Sequence, residues 1–420
     1  MSEILILGAG AAGLAAASRL TAAGRLVTVL EARDRIGGRI RTLHAGWPEP
    51  VEAGPEFLHA NTVGMQALVA SSGAEIGHMA EGHWLFGSPP GPLEFGEGWG
   101  VLFARLNEYV GPDLSFSEFV RLHGQDISPQ DLQAATDYVE GFNAADRQLV
   151  SIEWLRRSEA ALEEDATPRR LLGGYDRIPQ TLAASLTQEQ LRLGAKVQAV
   201  DWKPGHVRVT AVEADGSTRE YQGQKVVVAL PLGVLKAGAV VIQPAIPEKQ
   251  AALAKLQMGA VLKVLLWFDR PFWHEGEMKE SGFFHSPTSA FRTWWPHLAQ
   301  PILTGWCGGP RAARLSEQSD DAILTLAISE LAADLRIEPE SFQATIRASM
   351  VFNWQCDPFA RGAYSYASVG GATAARALAA PVANTLYFAG EATDEDLSAT
   401  VDGAVRSGYR AADEILAAGK

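Results

Sequence analysis

The apolar positions at the start of the chain form two strand-like runs with a small-residue segment between them. Residues 4–7 are continuously aliphatic, and residues 26–30 form a second apolar run that ends in Glu31. Between the runs, residues 8–13 read Gly-Ala-Gly-Ala-Ala-Gly and lead into an Ala-rich stretch typical of a helix packed closely on a sheet. Continuous aliphatic runs bounded by turn residues indicate strands that are buried on both faces. The pattern therefore predicts a βαβ unit.

Farther along, the period of the pattern changes from strand-like to helical and back. Apolar residues three and four positions apart predict helices at 101–110, 116–122, 129–142, 149–162, 180–186 and 320–335. Apolar or alternating runs predict strands at 195–200, 207–212, 219–222, 225–230, 261–268, 290–295 and 302–307. Residues 81–98 are rich in Gly, Pro and aromatic residues and indicate loop and short strand. The alternation predicts an α/β fold that a helical block interrupts.

Composition narrows the classes of protein that the chain can represent. At 420 residues it is too long for one compact core, so we expect two domains. The net charge of −13 argues against nucleic acid or an anionic membrane as a partner. Cys307 and Cys356 are too few for a disulfide framework, and no apolar run reaches membrane-spanning length. With no room for a signal peptide before the first strand, we expect a soluble cytoplasmic protein.

The glycines between the first two strands have the spacing of a dinucleotide site. Gly8 permits a tight turn, Gly10 lets the backbone approach a pyrophosphate, and Gly13 lets helix and strand pack closely. The helix that follows presents free N–H groups and a positive dipole end to phosphates. Glu31 stands where an acid accepts hydrogen bonds from ribose hydroxyls.

A second glycine pair and a cation follow at residues 37–39, Gly-Gly-Arg. A flavin dinucleotide binds in an extended form, so a second segment of backbone can contact it and a cation can lie near its pyrophosphate. Residues 31–39 resemble the N-terminal signature of the flavin-dependent amine oxidase family, Glu-Ala-x-x-x-x-Gly-Gly-Arg. The resemblance implies FAD as the cofactor, a Rossmann-like FAD-binding domain and a second, α+β substrate-binding domain.

Residues 51–60 resemble the family segment that passes beside the flavin ring. Gly54 and Pro55 are then expected to contact the cofactor through their backbone. His59 falls where polyamine oxidases of the family often carry a substrate-site histidine, although a structural loop histidine is the alternative. Pro55 and Ala60 depart from the small residues that are commoner at these positions.

Lys263 stands in the apolar strand predicted at 261–268. A buried lysine is costly unless it is paired, and its pKa shifts readily. In the resembled family, a lysine before a Phe-x-x-x-Phe-Trp segment holds a water at flavin N5, and residues 268–273 have that form. The alternative is an edge-strand lysine that reaches solvent.

Residues 386–408 resemble the C-terminal family signature almost residue by residue. Glu391 is expected to accept hydrogen bonds from the FAD ribityl chain or nearby waters. The helix that begins near Thr400 and Val401 directs its dipole at the flavin pyrimidine edge, where the reduced flavin is negative. The resemblance places these residues at the cofactor: Gly8, Gly10, Ala11, Ala12, Gly13, Glu31, Ala32, Arg33, Gly38, Arg39, Gly54, Pro55, Glu56, Val197, Gly390, Glu391, Thr400, Val401 and Ala404.

Residues 354–366 resemble the segment at the substrate face of the flavin. Monoamine oxidases bind FAD covalently through a cysteine there; this chain has Ala363, so the resemblance implies noncovalent FAD. Tyr364 falls at one wall of the aromatic cage that frames the amine, with a core position as its alternative. The opposite wall falls at Thr400, which is more like polyamine oxidases and lysine demethylases. Phe291, Trp294 and Trp295 are candidates for the substrate cavity or for the core.

The resemblance implies FAD-dependent oxidation of an amine, polyamine-like or other, at Lys263, His59 and Tyr364, with oxygen reduced to hydrogen peroxide. We expect the FAD-binding domain at residues 1–75, 170–250 and 350–420, and the substrate-binding domain at 76–169 and 251–349. An amino-acid oxidase, for which Arg292 is the candidate carboxylate-binding cation, and an isoprenoid or porphyrinogen desaturase remain alternatives. A non-catalytic flavin-binding partner protein is the alternative from another class.

Overall fold

The computed structural model describes residues 4–59, 62–87, 89–94, 96–161 and 168–418. Their strands, in chain order, are β1 (Ile4–Leu7), β2 (Val27–Glu31), β3 (Thr42–Leu43), β4 (Val51–Glu52), β5 (Phe57–Leu58), β6 (Glu75–His78), β7 (Gly82–Leu85), β8 (Gly91–Pro92), β9 (Arg169–Leu172), β10 (Leu191–Leu193), β11 (Lys196–Lys203), β12 (His206–Val212), β13 (Thr218–Gly223), β14 (Lys225–Val228), β15 (Val241–Gln243), β16 (Leu256–Met258), β17 (Val261–Phe268), β18 (Ser281–His285), β19 (Thr293–Pro296), β20 (Ile302–Gly308), β21 (Ile346–Asn353), β22 (Ser365–Ala367) and β23 (Leu386–Phe388).

The helices of the described residues alternate with these strands along the chain. The α-helices are α1 (Ala11–Ala22), α2 (Val63–Ser72), α3 (Glu97–Glu108), α4 (Phe116–His123), α5 (Pro129–Gly141), α6 (Ile152–Ala160), α7 (Arg177–Ala183), α8 (Leu232–Lys236), α9 (Pro247–Lys255), α10 (Gly309–Leu315), α11 (Asp320–Leu335), α12 (Pro339–Gln343), α13 (Ala374–Ala379) and α14 (Val401–Ala417). Short 3₁₀ turns occur at Phe272–His274, Gly276–Glu280 and Glu391–Thr393.

A five-stranded parallel sheet brings together three distant parts of the sequence. Its strand order is β10-β2-β1-β14-β23, and each neighbouring pair is parallel. The central strand β1 is fully buried and aliphatic, as a strand covered on both faces requires. The strand order reverses at β1, and the reversal leaves a crevice beyond the carboxyl ends of β1 and β14. Doubly wound sheets bind their ligands in such a crevice.

The turn from β1 into α1 depends on glycine at two positions. Gly8 has a φ of +99°, which side chains rarely adopt. A Cβ at Gly13 would lie 1.9 Å from the Gly8 carbonyl oxygen, so only glycine lets α1 lie this close to β1. The confirmed βαβ unit therefore has the short, tight turn that the glycine spacing predicts.

A seven-stranded sheet, in the order β21-β17-β20-β19-β18-β7-β8, forms the other large layer. Its pairs are antiparallel except β18 and β7, which are parallel. β17 lies between β20 and β21, so Lys263 pairs across the sheet with Trp306 on one side and Phe352 on the other. We propose that the parallel sheet and this sheet mark two domains.

Several predicted elements are confirmed, and several boundaries are wrong for local reasons. The helix at 320–335 and the strand at 261–268 have the predicted bounds. The predicted helix at 180–186 begins at Arg177 instead, because Pro179 lies in its first turn, where a missing N–H costs no helical hydrogen bond. The helix predicted at 149–162 begins at Ile152, since the Ser151 side chain accepts from Trp154 N and caps it. Its predicted last residue lies outside the described residues.

Strand β21 shows where the predicted domain boundary and the sheet differ. The sequence interpretation ended the second domain at residue 349, but β21 pairs with β17 as far as Asn353. A boundary at 350 would cut this strand, so we propose a division that follows Asn353. Within the described residues, no helix is long and apolar enough to cross a membrane.

Candidate active site

A cavity of about 1140 Å³ extends from the crevice of the parallel sheet to the seven-stranded sheet. Gly13 lies behind the turn, against Gly8, and is not among the residues that line this cavity. The other residues predicted at the site all line it: Gly8, Gly10, Ala11, Ala12, Glu31, Ala32, Arg33, Gly38, Arg39, Gly54, Pro55, Glu56, His59, Val197, Lys263, Tyr364, Gly390, Glu391, Thr400, Val401 and Ala404.

The end of the cavity at β1 and β2 has the donors and the space that a dinucleotide needs. Gly10 caps α1 in an extended conformation, and a Cβ added to it would meet nothing within 4 Å. The first N–H groups of a helix have no partner within the helix, so those of α1 can bind an anion. The Glu31 carboxylate is held in place because it accepts from Ala9 N at 2.7 Å and from Arg33 N at 2.9 Å.

Glu391 has protein partners where the sequence interpretation expected the ribityl chain or water. Arg39 Nη1 donates to Glu391 Oε1 at 2.9 Å and also to the Ala363 carbonyl at 2.5 Å. The other carboxylate oxygen accepts from Ser365 N, Ser365 Oγ and Ala399 N at 3.2, 2.5 and 3.2 Å. A buried carboxylate needs such donors. Glu391 and Arg39 therefore tie together three segments of the cavity wall.

The N-terminus of α14 borders the cavity. The Thr400 side chain caps this helix, since its Oγ1 accepts from Gly403 N at 2.9 Å. A Cβ at Gly403 would lie 1.9 Å from the Leu397 carbonyl oxygen, so glycine permits the tight turn before the helix. Val401 and Ala404 line the cavity on this side. The helix dipole thus places a positive end beside the cavity.

Lys263 is a buried, ion-paired lysine on a central strand, so the edge-strand alternative is wrong. It is 1% exposed. Its Nζ donates to Glu56 Oε2 at 2.6 Å and lies 3.3 Å from the Gly54 carbonyl oxygen. Lys263 and Glu56 both line the cavity. The ammonium therefore lies at the cavity wall with a fixed carboxylate partner.

Glu56 is the centre of a buried charge cluster that the sequence interpretation missed. Arg170 Nη2 lies 3.0 Å from Glu56 Oε1, and His297 Nε2 lies 3.6 Å from the same oxygen. Burial alone would raise the pKa of Glu56, but Arg170 and Lys263 outweigh it and lower that pKa to about 2. Glu56 is thus a carboxylate at neutral pH. The sequence contains no signal for this cluster, because Glu56 directly precedes the two-residue strand β5 and Arg170 lies in β9, whose four residues are Arg-Arg-Leu-Leu.

His59 and Tyr364 stand on an aromatic part of the wall. The His59 ring centroid is 5.5 Å from that of Phe142 and 6.2 Å from that of Phe57. Tyr364 Oη donates to the Phe142 carbonyl at 2.5 Å, so its hydroxyl anchors the backbone there while its ring faces the cavity. Burial lowers the pKa of His59 to about 4 and raises that of Tyr364. Both side chains are neutral at pH 7.

The lowered pKa of His59 gives a pH dependence of stability that can be measured on the apoprotein. Between pH 6.5 and about 4 the unfolded chain takes up a proton at this histidine and the folded chain does not. We expect the free energy of unfolding to fall as the pH falls through this window. His59→Gln should reduce the fall by about 1–3 kcal/mol in urea unfolding at a series of pH values. An identical pH dependence in the variant would contradict the lowered pKa of His59.

The aromatic candidates of the second domain divide between cavity and core. Trp295 lines the cavity. Phe291 and Trp294 are fully buried in the hydrophobic core with residues of α11, so a substrate-wall role for them is wrong. Arg292, the candidate cation for a carboxylate, lines the cavity, and its Nε lies 3.6 Å from Asp137 Oδ1.

Comparison with known proteins gives consistent matches over nearly the whole chain. Residues 11–84 and 90–416 match the model of a family described as flavin containing amine oxidoreductase. Polyamine oxidase 2 of Arabidopsis thaliana is 30% identical over 450 residues, which cover 98% of this chain and 87% of that protein. Lysine-specific histone demethylase 2 of Homo sapiens is 28% identical over 449 residues, covering 99% of this chain and 53% of that protein.

Solved structures with the same fold include two amine oxidases. Wild-type putrescine oxidase bound to putrescine superposes with a TM-score of 0.83 at 21% identity, with 99% of each chain covered. Cyclohexylamine oxidase from Brevibacterium oxydans superposes with a TM-score of 0.83 at 22% identity, again with 99% of this chain covered. At these identities the likeness establishes the mixed α/β fold.

Proposed function

The chain belongs to the flavin containing amine oxidoreductase family, whose cofactor is FAD, and on that premise we propose that it oxidises a small amine to an imine. Water then hydrolyses the imine to a carbonyl compound with release of ammonia or a smaller amine, and oxygen is reduced to hydrogen peroxide. The observation that carries this proposal is one cavity whose wall includes the glycine turn after β1, an aromatic surface and Lys263. The relatives named polyamine oxidases support an amine as the substrate.

The cavity wall suits FAD at its β1 end. We propose that the turn at Gly8 and Gly10 and the first N–H groups of α1 hold the pyrophosphate, and that Glu31 accepts from the ribose. The open space beside Gly10 supports this placement, because a Cβ there meets nothing within 4 Å. FAD held there would supply the hydride acceptor and the means by which the electrons reach oxygen.

We propose that FAD is bound without a covalent link. Position 363 is alanine, and within the described part of the chain neither cysteine lines the cavity. Cys307 is buried in β20, where burial raises the pKa of its thiol to about 12, and Cys356 is exposed. The two free thiols also suit a reducing compartment, so we propose a cytoplasmic location.

The residues near Lys263 have distinct proposed roles. The neutral His59 and the Tyr364 ring border the space for an amine. Because neither side chain is charged, this environment favours the unprotonated amine, whose lone pair is free. The aromatic wall excludes water and thereby limits hydrolysis of the imine inside the cavity. The Lys263 ammonium, fixed by Glu56 and the Gly54 carbonyl, provides a positive charge where oxygen gains electrons.

An amino-acid oxidase is the second candidate, because Arg292 lines the same cavity. A guanidinium there can bind a substrate carboxylate. Arg292 already faces Asp137, and its Nη1 donates to the Ser286 carbonyl at 3.3 Å. These contacts favour the simple amine over the amino acid.

The test is an oxygen-coupled assay of the FAD-loaded protein with a panel of amines and α-amino acids. We expect at least one amine to give oxygen uptake, hydrogen peroxide and carbonyl product in equal amounts. Free FAD under the same conditions is the control. Turnover of amino acids alone would support the second candidate, and no turnover with any compound would favour a desaturase or a non-catalytic flavin protein.

A further inference from the structure

We infer that Arg170, which lies behind the cavity wall, is a positioning residue that keeps the proton of the buried Lys263–Glu56 pair on Lys263. Its effect on the reaction rests on the proposed function, because the role proposed for Lys263 in the reaction with oxygen needs an ammonium. The position of the proton is a property of the folded protein and can be measured separately from turnover.

The pairing of the strands places Arg170 beside Glu56. Arg170 lies on β9, between β5 and β6, and pairs across the sheet with Phe57, the residue that follows Glu56. Its guanidinium carbon lies 5.1 Å from the centroid of the Phe57 ring. Glu56 and Phe57 line the cavity, and Arg170 does not. Arg170 is thus placed to act through Glu56 and not by contact with a bound molecule.

The Glu56 carboxylate contacts one cation through each of its oxygens. Its Oε2 accepts from Lys263 Nζ at 2.6 Å, and its Oε1 lies 3.0 Å from Arg170 Nη2. Within the described part of the chain, Oε1 has no hydrogen-bond partner, so the charge of Arg170 stabilises this side of the carboxylate. Arg170 is therefore in contact with the negative end of the Lys263–Glu56 pair.

Two forms of this buried pair compete. In one form Lys263 is an ammonium and Glu56 a carboxylate; in the other the N–H bond has broken, the proton has passed from Nζ to Oε2, and both groups are neutral. Burial favours the neutral form, because both charges lose hydration. A guanidinium at the negative end favours the charged form. Burial raises the pKa of Glu56, but attraction first to Arg170 and then to Lys263 lowers that pKa to about 2.

Three other titratable groups lie near this cluster, and none of them is a cation at neutral pH. His297 Nε2 lies 3.6 Å from Glu56 Oε1, but burial lowers the pKa of His297, so its ring is neutral. Its Nδ1 lies 3.1 Å from the carboxylate of Glu49. Glu52 is attracted to Lys263, and burial raises the pKa of Glu52 to about 7. These side chains supply no second cation to the carboxylate of Glu56.

Infrared spectroscopy of the FAD-loaded protein locates the proton, because a protonated carboxyl group has a C=O stretching band that a carboxylate lacks. The spectrum of Arg170→Gln minus that of Arg170→Gln with Glu56→Gln isolates the signal of Glu56. The pH is set well above the pKa of Glu52, which is about 7, and the band still forms because Lys263 supplies the proton. We expect the band in Arg170→Gln and not in the corresponding wild-type difference. Its absence from Arg170→Gln would overturn the inference.

The reaction of the reduced protein with oxygen measures the consequence for function. We expect Arg170→Gln to slow this reaction about tenfold, since only about a tenth of the pairs then keep the ammonium. In a Lys263→Met background the same substitution should change nothing, because no ammonium remains to be lost. Equal slowing in both backgrounds would show that Arg170 acts independently of Lys263, and its positioning role would be wrong.

Two further variants separate the charge of Arg170 from its packing. Arg170→Met removes the charge and should reproduce the result of Arg170→Gln, which it replaces if that variant does not fold. Arg170→Lys keeps a positive charge beside Glu56 and should keep the wild-type spectrum and oxygen rate; a protonated carboxyl band in this variant would contradict the role of the charge. If Lys263→Met leaves the oxygen rate unchanged, the function proposed for Lys263 fails, while the infrared band still decides where the proton lies.

Discussion

Replacing Gly10 by valine is expected to weaken FAD binding by about 100-fold or more while the apoprotein remains folded. Gly10 has φ −75° and ψ 180°, which valine adopts readily, and a Cβ there meets nothing within 4 Å. The new side chain would occupy the space beside the first N–H groups of α1. The charge-assisted hydrogen bonds that we propose from these N–H groups to the pyrophosphate would be lost, which accounts for the magnitude. FAD titration of the apoprotein and its melting temperature are the measurements.

Two other glycine variants complete this test. Gly100→Val, on α3, also introduces a side chain into open space but away from the cavity, so it should keep the wild-type FAD affinity. Gly13→Ala places a Cβ 1.9 Å from the Gly8 carbonyl oxygen and should impair folding itself. Wild-type FAD affinity in Gly10→Val would show that the pyrophosphate does not lie beside α1.

Lys263→Met is expected to slow the reaction of the reduced enzyme with oxygen by about 100-fold, with a smaller effect on reduction by the amine. The reason is the loss of a buried cation, fixed at 2.6 Å from Glu56, at the part of the wall where we propose that oxygen gains electrons. Stopped-flow mixing of the anaerobically reduced protein with oxygen measures the rate. An unchanged rate would show that the role proposed for Lys263 is wrong.

This substitution also breaks a buried ion pair, and a double variant separates the two effects. Removal of one partner leaves Glu56 without Lys263 and should cost about 3–5 kcal/mol of stability. Lys263→Met with Glu56→Gln removes both charges and should recover part of that loss. The oxygen reaction should remain slow in the double variant. Recovery of the oxygen rate together with stability would instead indicate a purely structural role for Lys263.

Local sequence predicted those parts of the site that depend on short-range geometry. The turn at Gly8, Gly10 and Gly13 is one example, because the spacing of three glycines determines a turn, a cap and a close packing contact. The apolar run around Lys263 is another, since a lysine inside a strand of aliphatic residues must be buried or lie at an edge. The strand's neighbours, β20 and β21, decide between these two outcomes.

The charge cluster around Glu56 could not be predicted in this way. Its partners Arg170 and Lys263 lie 114 and 207 positions away in the sequence and come from strands β9 and β17. The same holds for Asp137, which meets Arg292 and Arg311 only after α5, the loop before β19 and α10 have packed. Charge compensation depends on these tertiary contacts.

Adjacent aromatic residues gave an ambiguous pattern for another reason. Trp294 and Trp295 are neighbours on β19, and successive side chains of a strand point to opposite faces. One of them therefore faces the cavity and the other the core under α11. Because both are large and aromatic, the sequence alone does not distinguish the two faces.

Anaerobic titration of the FAD-loaded protein with a monoamine such as butylamine tests the central claim most directly. The cavity joins the crevice where we propose that FAD binds to the aromatic wall where we propose that the amine binds, so the account predicts that the flavin absorbance bleaches without oxygen and returns when oxygen is admitted. A flavin that stays oxidised with butylamine and with every other amine of the panel would contradict it.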